Sequence, residues 1–441
     1  MNDWFEAEQR VERAQEFYES GRWEEALREL REALRVNPDN PEWHFNLGLT
    51  LEALGRGPEA IEAYRQSIDL QGESADSLNL LGAALLRDRQ HAEALRCFER
   101  AERLDPGEPT SYANRIALYN ELGEFEQADL MFYLALQADE GHGRAYFNMG
   151  QSQLDRGSHE RALHCFEQVL RLDPGDEQVH GRLGDVHWAR GELRRAYRSF
   201  IHQLRRQPGD VETLLDLGNL LIEMDQPLEA AEKFRRVIEL EPANADAHHF
   251  LGELALRNRH PEAAEVALRR ALQFDRRLVG VRTKLAMVAL EQDRPDQARR
   301  LAKAELRLDN PEIDARLRDE FGQLLLDVKM PEEAARIYQQ LADQHPDRAR
   351  FAHQWAVALF VLGDLPGGLR VARRAIRADR RYTLAMHNLA MANLQLGRWR
   401  RALAWTRRGL AVDPLDKRLK RLRRKGLALM LRARLGLVAR R

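Results

Sequence analysis

A small side chain recurs at an interval of 34 residues along almost the whole of this 441-residue chain. One step of 36 interrupts the series, between Ala298 and Ala334. Because an interval of this length is the signature of stacked structural units, it constrains the fold more than any other feature. The positions are Ala26, Ala60, Ala94, Ala128, Ala162, Ala196, Ala230, Ala264, Ala298, Ala334, Gly368 and Ala402.

Three further columns of residues keep the same register. A glycine stands twelve residues before the alanine at Gly48, Gly82, Gly150, Gly184, Gly218, Gly252 and Gly322. A large apolar residue stands four residues after it at Leu30, Tyr64, Phe98, Phe132, Phe166, Phe200, Phe234, Leu268 and Tyr338. A proline stands twelve residues after it at Pro38, Pro106, Pro174, Pro208, Pro242, Pro346 and Pro414. Because apolar residues also recur at three- and four-residue spacing and proline cannot continue a helix, each repeat is predicted to contain two amphipathic helices.

These columns resemble the sequence pattern of the tetratricopeptide repeat family. The pattern is plain in repeat five, at Tyr146, Met149, Gly150, Gly157, Ala162, Phe166, Val169 and Pro174. The resemblance implies an all-α fold, a right-handed superhelical α-solenoid of about twelve 34-residue helix-turn-helix repeats with a C-terminal capping helix. The repeats are residues 7–40, 41–74, 75–108, 109–142, 143–176, 177–210, 211–244, 245–278, 279–312, 315–348, 349–382 and 383–416.

The 34-residue spacing predicts one long array of repeats with a single irregularity. Residues 1–6 are an N-terminal extension, residues 7–312 hold repeats one to nine, and residues 315–416 hold repeats ten to twelve. Two inserted residues, 313–314, lengthen the turn before repeat ten. Repeat nine also departs most from the column pattern, so we expect a hinge within residues 278–316.

Acidic and basic residues are segregated along the chain, although the net charge is only −1. Residues 1–176 carry 18 basic and 35 acidic side chains, whereas residues 349–441 carry 23 basic and 4 acidic ones. Solvated helix faces explain the abundance of charge, but they explain its segregation less well. Two interpretations stay open, namely ordinary solvation and a polarity that serves partners or head-to-tail association.

Residues 417–441 contain eleven basic residues and no acidic one. Their apolar residues lie close to one helical stripe, so the segment is predicted to be a helix that caps repeat twelve. Contact with an anionic membrane surface or with nucleic acid is a secondary hypothesis that is compatible with capping. The predicted basic surface consists of Lys417, Arg418, Lys420, Arg421, Arg423, Arg424 and Lys425.

The resemblance implies that binding takes place on the concave face, which the first helix of each repeat provides. Asparagine at the inner positions offers donors and an acceptor, and it could hold the backbone of an extended peptide without reading its sequence. The alternatives are an asparagine merely tolerated on the surface and, for the two phenylalanines, packing between repeats. The predicted peptide-binding groove consists of Asn46, Asn114, Asn148, Asn219, Arg144, Arg182, Phe45 and Phe147.

Acidic side chains dominate the inner positions of the N-terminal repeats, where only Arg144 and Arg182 interrupt them. We therefore expect the partner to present a basic, partly hydrophobic segment to this half of the chain. The predicted acidic groove consists of Glu8, Glu12, Glu19, Glu42, Glu52, Asp76, Glu121 and Asp155.

No motif for catalysis, a metal or a cofactor stands out from the repeat pattern. The chain is therefore expected to be no enzyme and to bind no cofactor, metal or small-molecule substrate. The absence of a visible secretory signal or of an apolar run of membrane length favours a cytoplasmic location. The predicted function is a protein-interaction scaffold or adaptor that binds extended segments. The alternative is a regulatory or self-associating subunit of a larger enzyme or envelope assembly.

Overall fold

The computed structural model of the chain describes residues 2–308 and 314–434. This described part contains twenty-five α-helices and no strand, which confirms the predicted all-α class. The helices are α1 (Asn2–Glu19), α2 (Trp23–Val36), α3 (Pro41–Ala53), α4 (Gly57–Gln71), α5 (Ala75–Arg87), α6 (His91–Leu104), α7 (Thr110–Leu122), α8 (Phe125–Ala138), α9 (Gly143–Asp155), α10 (His159–Leu172), α11 (Val179–Ala189), α12 (Leu193–Arg206), α13 (Val211–Glu223), α14 (Pro227–Leu240), α15 (Ala245–Arg257), α16 (Pro261–Phe274), α17 (Val281–Glu291), α18 (Pro295–Glu305), α19 (Ala315–Asp327), α20 (Pro331–Gln344), α21 (Ala349–Val361), α22 (Leu365–Ala378), α23 (Thr383–Gln395), α24 (Trp399–Val412) and α25 (Lys417–Arg434).

Each predicted repeat holds two successive helices, from α1 and α2 in repeat one to α23 and α24 in repeat twelve. Residues 2–6, part of the predicted N-terminal extension, lie within α1. Of the predicted insertion, residue 313 lies outside the described residues, as do residues 309–312 before it. The helix pairs therefore follow the sequence register on both sides of that gap.

The chain divides into two compact units, one ending at Asp225 and the other beginning at Gln226. The first unit contains α1–α13 and the second contains α14–α25. The predicted hinge at 278–316 falls within the second unit and includes residues outside the described part. It stays a prediction.

The first helices of successive repeats contact one another within each unit. In the first unit, α7 contacts α9 and α11 contacts α13, and in the second unit α21 contacts α23. Within each unit, first helices also pack against the second helix of their own repeat, as α9 does against α10 and α15 against α16. One face of each unit is therefore built from first helices, and the groove is predicted to lie on this face.

The recurring small residues are buried where the paired helices approach most closely. All eleven alanines of the series are at most 1% exposed. A Cβ atom added to Gly150 would lie 2.7 Å from Cε1 of Phe166, and one added to Gly184 would lie 2.4 Å from Cε1 of Phe200. Because such contacts are too short for carbon atoms, the glycine column makes room for the large apolar residue of the second helix.

The turn inside each repeat passes through a left-handed residue at the same interval as the alanines. In repeat five, the N–H of Gly157 donates to the carbonyl of Leu154, and the N–H of Ser158 donates to the carbonyl of Gln153. This pair of hydrogen bonds is the Schellman motif, which ends helices at a residue with positive φ. The turn residues are Gly21, Gly55, Arg89, Gly123, Gly157, Gly191, Asp225, Arg259, Asp293, Lys329, Gly363 and Gly397.

The last helix, α25, packs against α24 through close apolar contacts. Leu419 is fully buried, and its Cδ1 atom lies 2.5 Å from the position of a Cβ added to Gly409. Gly426 faces Leu403 in the same way, at 2.9 Å. The seven basic residues predicted for this segment are exposed, and residues 435–441 lie outside the described part.

In the ranges 2–308 and 314–434, no helix combines the length and apolarity needed to cross a membrane.

Candidate functional site

The asparagines of the predicted peptide-binding groove differ in what their side chains contact. The Nδ2 of Asn148 donates to the carbonyl of Ala113 at 2.7 Å, and the Nδ2 of Asn120 donates to the carbonyl of Asn148 at 3.1 Å. These bonds join α7 to α9, so the amide of Asn148 serves repeat stacking. The other three asparagines of the predicted groove are half-buried and form no side-chain hydrogen bond with any described residue: Asn46, Asn114 and Asn219.

The two predicted apolar anchors pack against aromatic residues of their own repeats. The ring of Phe45 lies 5.9 Å from that of Tyr64, and the ring of Phe147 lies 5.7 Å from that of Phe166 in an edge-on arrangement. The guanidinium of Arg144 lies over the Phe147 ring at 5.8 Å. Both phenylalanines remain partly accessible, so packing between helices and contact with a ligand are compatible.

The predicted acidic groove residues are spread over the five helices α1, α3, α5, α7 and α9, and most of them are exposed. Glu8 accepts a side-chain hydrogen bond from Trp4, Glu19 accepts one from Gln15, and Asp155 accepts one from Gln151. Glu52 is half-buried and pairs with Arg87, whereas Glu121 accepts from His91 at 2.9 Å. Three members form no side-chain contact of this kind with the described residues: Glu12, Glu42 and Asp76.

Repeats five to seven enclose a cleft of about 460 Å³ within the first unit. The cleft brings together α9, α11, α12 and α13. Two of the residues predicted for the groove line it, Phe147 and Arg182. Four acidic residues also line the cleft, so its carboxylates outnumber its guanidinium by four to one: Asp185, Asp210, Glu212 and Asp216.

Arg182 is the cation of the cleft, and it holds two of these carboxylates. Its guanidinium lies 3.2 Å from Asp185, one turn along α11, and 2.9 Å from Glu212 at the start of α13. Burial raises the pKa of Asp185 to about 6, although Arg182 opposes this effect. Arg182 is therefore already paired with two carboxylates, and no other arginine or lysine among the described residues lines the cleft.

Asp216 is the carboxylate that this arrangement leaves unpaired. It is half-buried, and it forms no ion pair or side-chain hydrogen bond with any described residue. Burial, followed by the nearby charges of Asp185 and Glu212, raises its pKa to about 7. A carboxylate in this position is stabilised by an added cation, because a positive charge offsets both desolvation and the neighbouring negative charges.

Gln203 shapes the floor of the cleft from the second helix of repeat six. It is 1% exposed, its Oε1 accepts from the N–H of Gly181, and its Nε2 donates to Asp210 at 3.2 Å. Asp210 also caps α13 by accepting from the N–H of Thr213. These contacts fix α11 relative to α13, and with them the separation of Arg182 from Asp216.

Asp185, Asp216 and Gln203 are not among the site residues predicted from the sequence. A usable signal existed for Gln203, because its column is otherwise mostly small or apolar, as at Ala135 and Val169. A polar residue in a buried column needs a hydrogen-bond partner, and it therefore indicates a local departure from simple packing.

The second unit contains a buried charge cluster of a different kind. The Nζ of Lys284 lies 3.0 Å from Glu253 and 2.7 Å from Glu320, and its side chain is 8% exposed. These residues belong to the first helices of repeats eight, nine and ten. Because the lysine and its carboxylates satisfy one another, the cluster ties successive repeats together and offers little charge to a ligand. Within the described part of the chain, no three His, Cys, Asp or Glu side chains are arranged to hold a metal ion.

Family models described as tetratricopeptide repeat match most of the chain. One model matches residues 11–77, 58–109, 215–277 and 353–417, which together make up more than half of the sequence. Two other models with the same description match residues 143–176 and 279–304.

Two curated proteins are similar to short stretches of the chain. The tetratricopeptide repeat-containing protein trd-1 of Caenorhabditis elegans is 29% identical over 107 residues, which are 24% of this chain and 14% of that protein. The N-terminal acetyltransferase A complex auxiliary subunit NAA15 of Arabidopsis thaliana is 32% identical over 89 residues, 20% of this chain and 10% of that protein. The matched stretches thus span about a seventh and a tenth of the length of these relatives.

Solved structures resemble the chain at low sequence identity. The Cut9 and Hcn1 hetero-tetramer of the APC/C matches with a TM-score of 0.46 and 14% identity, over 94% of this chain and 95% of that one. Yeast Tom70 matches with a TM-score of 0.40 and 14% identity, over 97% and 96% of the two chains. PilF of Pseudomonas aeruginosa matches with a TM-score of 0.40 and 22% identity, over 47% of this chain and 93% of that one.

Proposed function

Because the chain belongs to the tetratricopeptide repeat family, a scaffold fold typical of protein–protein interaction, we propose that it is a non-catalytic scaffold for extended, basic segments of other proteins. Stacked repeats create long continuous surfaces that suit such ligands. We place the principal contact in the cleft of repeats five to seven, on the face built from first helices. The cytoplasmic location expected from the sequence remains part of this proposal.

The observation that carries the proposal is the unpaired carboxylate of Asp216. It lies half-buried among further carboxylates, and Arg182 is already engaged by two of them. An arginine or lysine of a ligand would supply the missing positive charge through a charge-assisted hydrogen bond. The aliphatic stem of that side chain would pack on the accessible part of Phe147 at the edge of the cleft.

The test uses the full chain and two short labelled peptides, measured by fluorescence anisotropy. One peptide alternates Arg with Ser and Leu, and the other carries Glu in place of each Arg. We expect saturable binding of the arginine peptide and none of the glutamate peptide. The substitution Asp216→Asn should weaken binding of the arginine peptide by about fivefold or more at about pH 8, which corresponds to about 1 kcal/mol of binding free energy.

Asp69→Asn is the matched control, because Asp69 is an exposed carboxylate on α4, outside the cleft of repeats five to seven. It makes the same change of charge and should leave the affinity unchanged. Equal affinity of the unaltered chain and the Asp216→Asn variant would remove the proposed contact. Equal affinity for both peptides would remove the proposed preference for basic segments.

The alternative function is a regulatory or self-associating subunit of a larger assembly. The segregation of charge favours it, because an acidic N-terminal part and a basic C-terminal part of separate copies attract each other. The measurement that separates the two functions is the dependence of the oligomeric state on salt.

A further inference from the structure

A second cleft, of about 680 Å³, lies in the second unit between α22 and α24, the second helices of repeats eleven and twelve. Ile376 and Trp405 form its apolar part, and no carboxylate lines it. Five arginines make up the rest of its lining: Arg370, Arg373, Arg377, Arg380 and Arg408.

The five arginines of this cleft, called here the arginine cleft, have no acidic partner. Each side chain is exposed, and none forms an ion pair with a described residue. The neighbouring Arg374 shows the contrast, because its guanidinium lies 2.8 Å from Asp343. The arginine cleft therefore concentrates positive charge that the protein itself does not neutralise.

Unneutralised like charges raise the free energy of the folded chain. Neighbouring like charges repel each other even in water, and more strongly beside a protein surface, where the effective dielectric constant is lower. An anion bound among the five guanidinium groups reverses the sign of this interaction. The charge pattern thus points to an anionic ligand.

The spacing of the arginines favours a linear polyanion over a single phosphate. Arg370, Arg373 and Arg377 follow one another at three- and four-residue steps, which places them on one face of α22. With a rise of about 1.5 Å per residue, they extend over about 10 Å of the helix. Arg380 continues the series beyond the helix end. A strand that carries a negative charge at each unit can contact these groups in turn.

Trp405 distinguishes one kind of polyanion from another. Its half-buried ring lies in the arginine cleft, with the guanidinium of Arg408 at 5.5 Å from the ring centroid. Proteins that bind single-stranded nucleic acid combine cationic groups along the backbone with aromatic rings on which bases stack. An acidic peptide would use the arginines and leave the ring without a matching partner.

We propose that the arginine cleft binds single-stranded nucleic acid, with the phosphates along α22 and a base against Trp405. The exposed basic residues of α25, which packs against α24, extend the positive surface that attracts such a strand. The site is formed by second helices of the second unit, so it is independent of the proposed peptide cleft.

The experiment measures binding of a labelled oligothymidylate to the full chain by fluorescence anisotropy over a range of salt concentrations. The double variant Arg373→Gln/Arg377→Gln should weaken binding by about tenfold or more. It should also reduce the slope of log K against log salt by about 1.4, because each lost phosphate contact on a single strand contributes about 0.7. Trp405→Leu should weaken binding by about fivefold or more without changing that slope.

The matched control is the double variant Arg194→Gln/Arg198→Gln on α12, which removes the same charge at the same four-residue spacing from exposed positions outside the arginine cleft. It should weaken binding by less than about threefold. Circular dichroism checks that each variant retains the helical content of the unaltered chain.

Equal losses in the two double variants would overturn the proposal, since they would mean that general charge alone attracts the strand. Equal or tighter binding of labelled polyglutamate would assign the cleft to an acidic protein segment instead. Binding to vesicles of anionic lipid with no measurable binding of the oligonucleotide would likewise overturn it.

Discussion

At the scale of single residues, close packing in this protein depends on compensation between a pair of columns. Where the first helix has glycine, the second helix has a large side chain, as in Gly150 and Phe166. Repeat nine has alanine in both columns, and Ala286 and Ala302 are fully buried. In repeat nine a larger residue in the first helix thus accompanies a smaller residue in the second helix, and both positions stay buried.

The residue-scale prediction concerns Asp216, whose pKa is raised to about 7 by burial and neighbouring charges. The folded chain therefore holds this proton more tightly than the unfolded chain does. Stability contributed by the neutral form is present at about pH 4 and is lost as the pH rises towards about 7. We expect Asp216→Asn to stabilise the protein by about 1–3 kcal/mol at about pH 8, an amount reduced by solvent screening of the partly exposed group.

Thermal denaturation of the unaltered chain and of the Asp216→Asn variant, at about pH 4.5 and about pH 8, measures this difference in stability. The two midpoints should nearly coincide at the lower pH, where the native carboxyl group is already neutral. A gap of the same size at both pH values would show that ionisation of Asp216 is not its cause. The Asp69→Asn variant should show no gap at either pH.

At the scale of secondary-structure elements, each first helix ends at a residue in the left-handed conformation. Seven of the twelve turn residues are glycine, and five carry a side chain. Arg259 is one of these five, with φ at 58°, and its N–H donates to the carbonyl of Leu256 at 3.0 Å. The turn geometry is thus kept even where the residue type opposes it, because the Schellman hydrogen bonds and the helix packing hold it.

The element-scale prediction is that Arg259→Gly stabilises the protein by about 0.5–1 kcal/mol. Relief of the steric cost of a left-handed arginine outweighs the extra freedom that glycine gives to the unfolded chain. Arg259 is exposed and forms no ion pair with a described residue, so little else is lost. Denaturation by urea measures the change.

The control for this prediction is Arg257→Gly, two residues earlier in the last turn of α15. Glycine there should destabilise the protein by up to about 1 kcal/mol, because the backbone is helical and gains nothing from positive φ. A loss of stability in both variants would contradict the strain assigned to Arg259.

At the scale of the whole molecule, the division into two compact units coincides with a division of charge. Residues 1–225 carry 25 basic and 43 acidic side chains, and residues 226–441 carry 44 basic and 27 acidic ones. The net charge of −1 therefore conceals an excess of opposite sign in each unit. Such a distribution favours association of the acidic unit of one copy with the basic unit of another.

The molecular-scale prediction is an oligomer that depends on salt, measured by size-exclusion chromatography with light scattering. We expect association at about 0.02 M salt and monomers at about 0.5 M, because the screening length falls from roughly 20 Å to roughly 4 Å. The low-salt mass should rise with protein concentration. An unchanging monomer mass would favour the scaffold that binds other proteins over the self-associating subunit.

The sequence by itself determined the all-α class, the paired helices and the buried columns. These features are periodic, so the residues that produce them recur from repeat to repeat, as Gly150 and Ala162 illustrate in repeat five. Of the twelve residues that line the cleft of repeats five to seven, the groove prediction named two, Phe147 and Arg182.

The tertiary structure alone decided how different repeats combine. Asp216 lies 34 positions after Arg182, in the same column, and only stacking of α11 and α13 brings their charges together. Gln203 enters the cleft from a second helix, whose inward face the sequence pattern assigns to packing. The arginine cleft joins residues of α22 and α24 in the same way. The physical reason is that periodicity fixes each helix locally, whereas ion pairs, burial and unpaired charge depend on which faces meet across the repeat boundary.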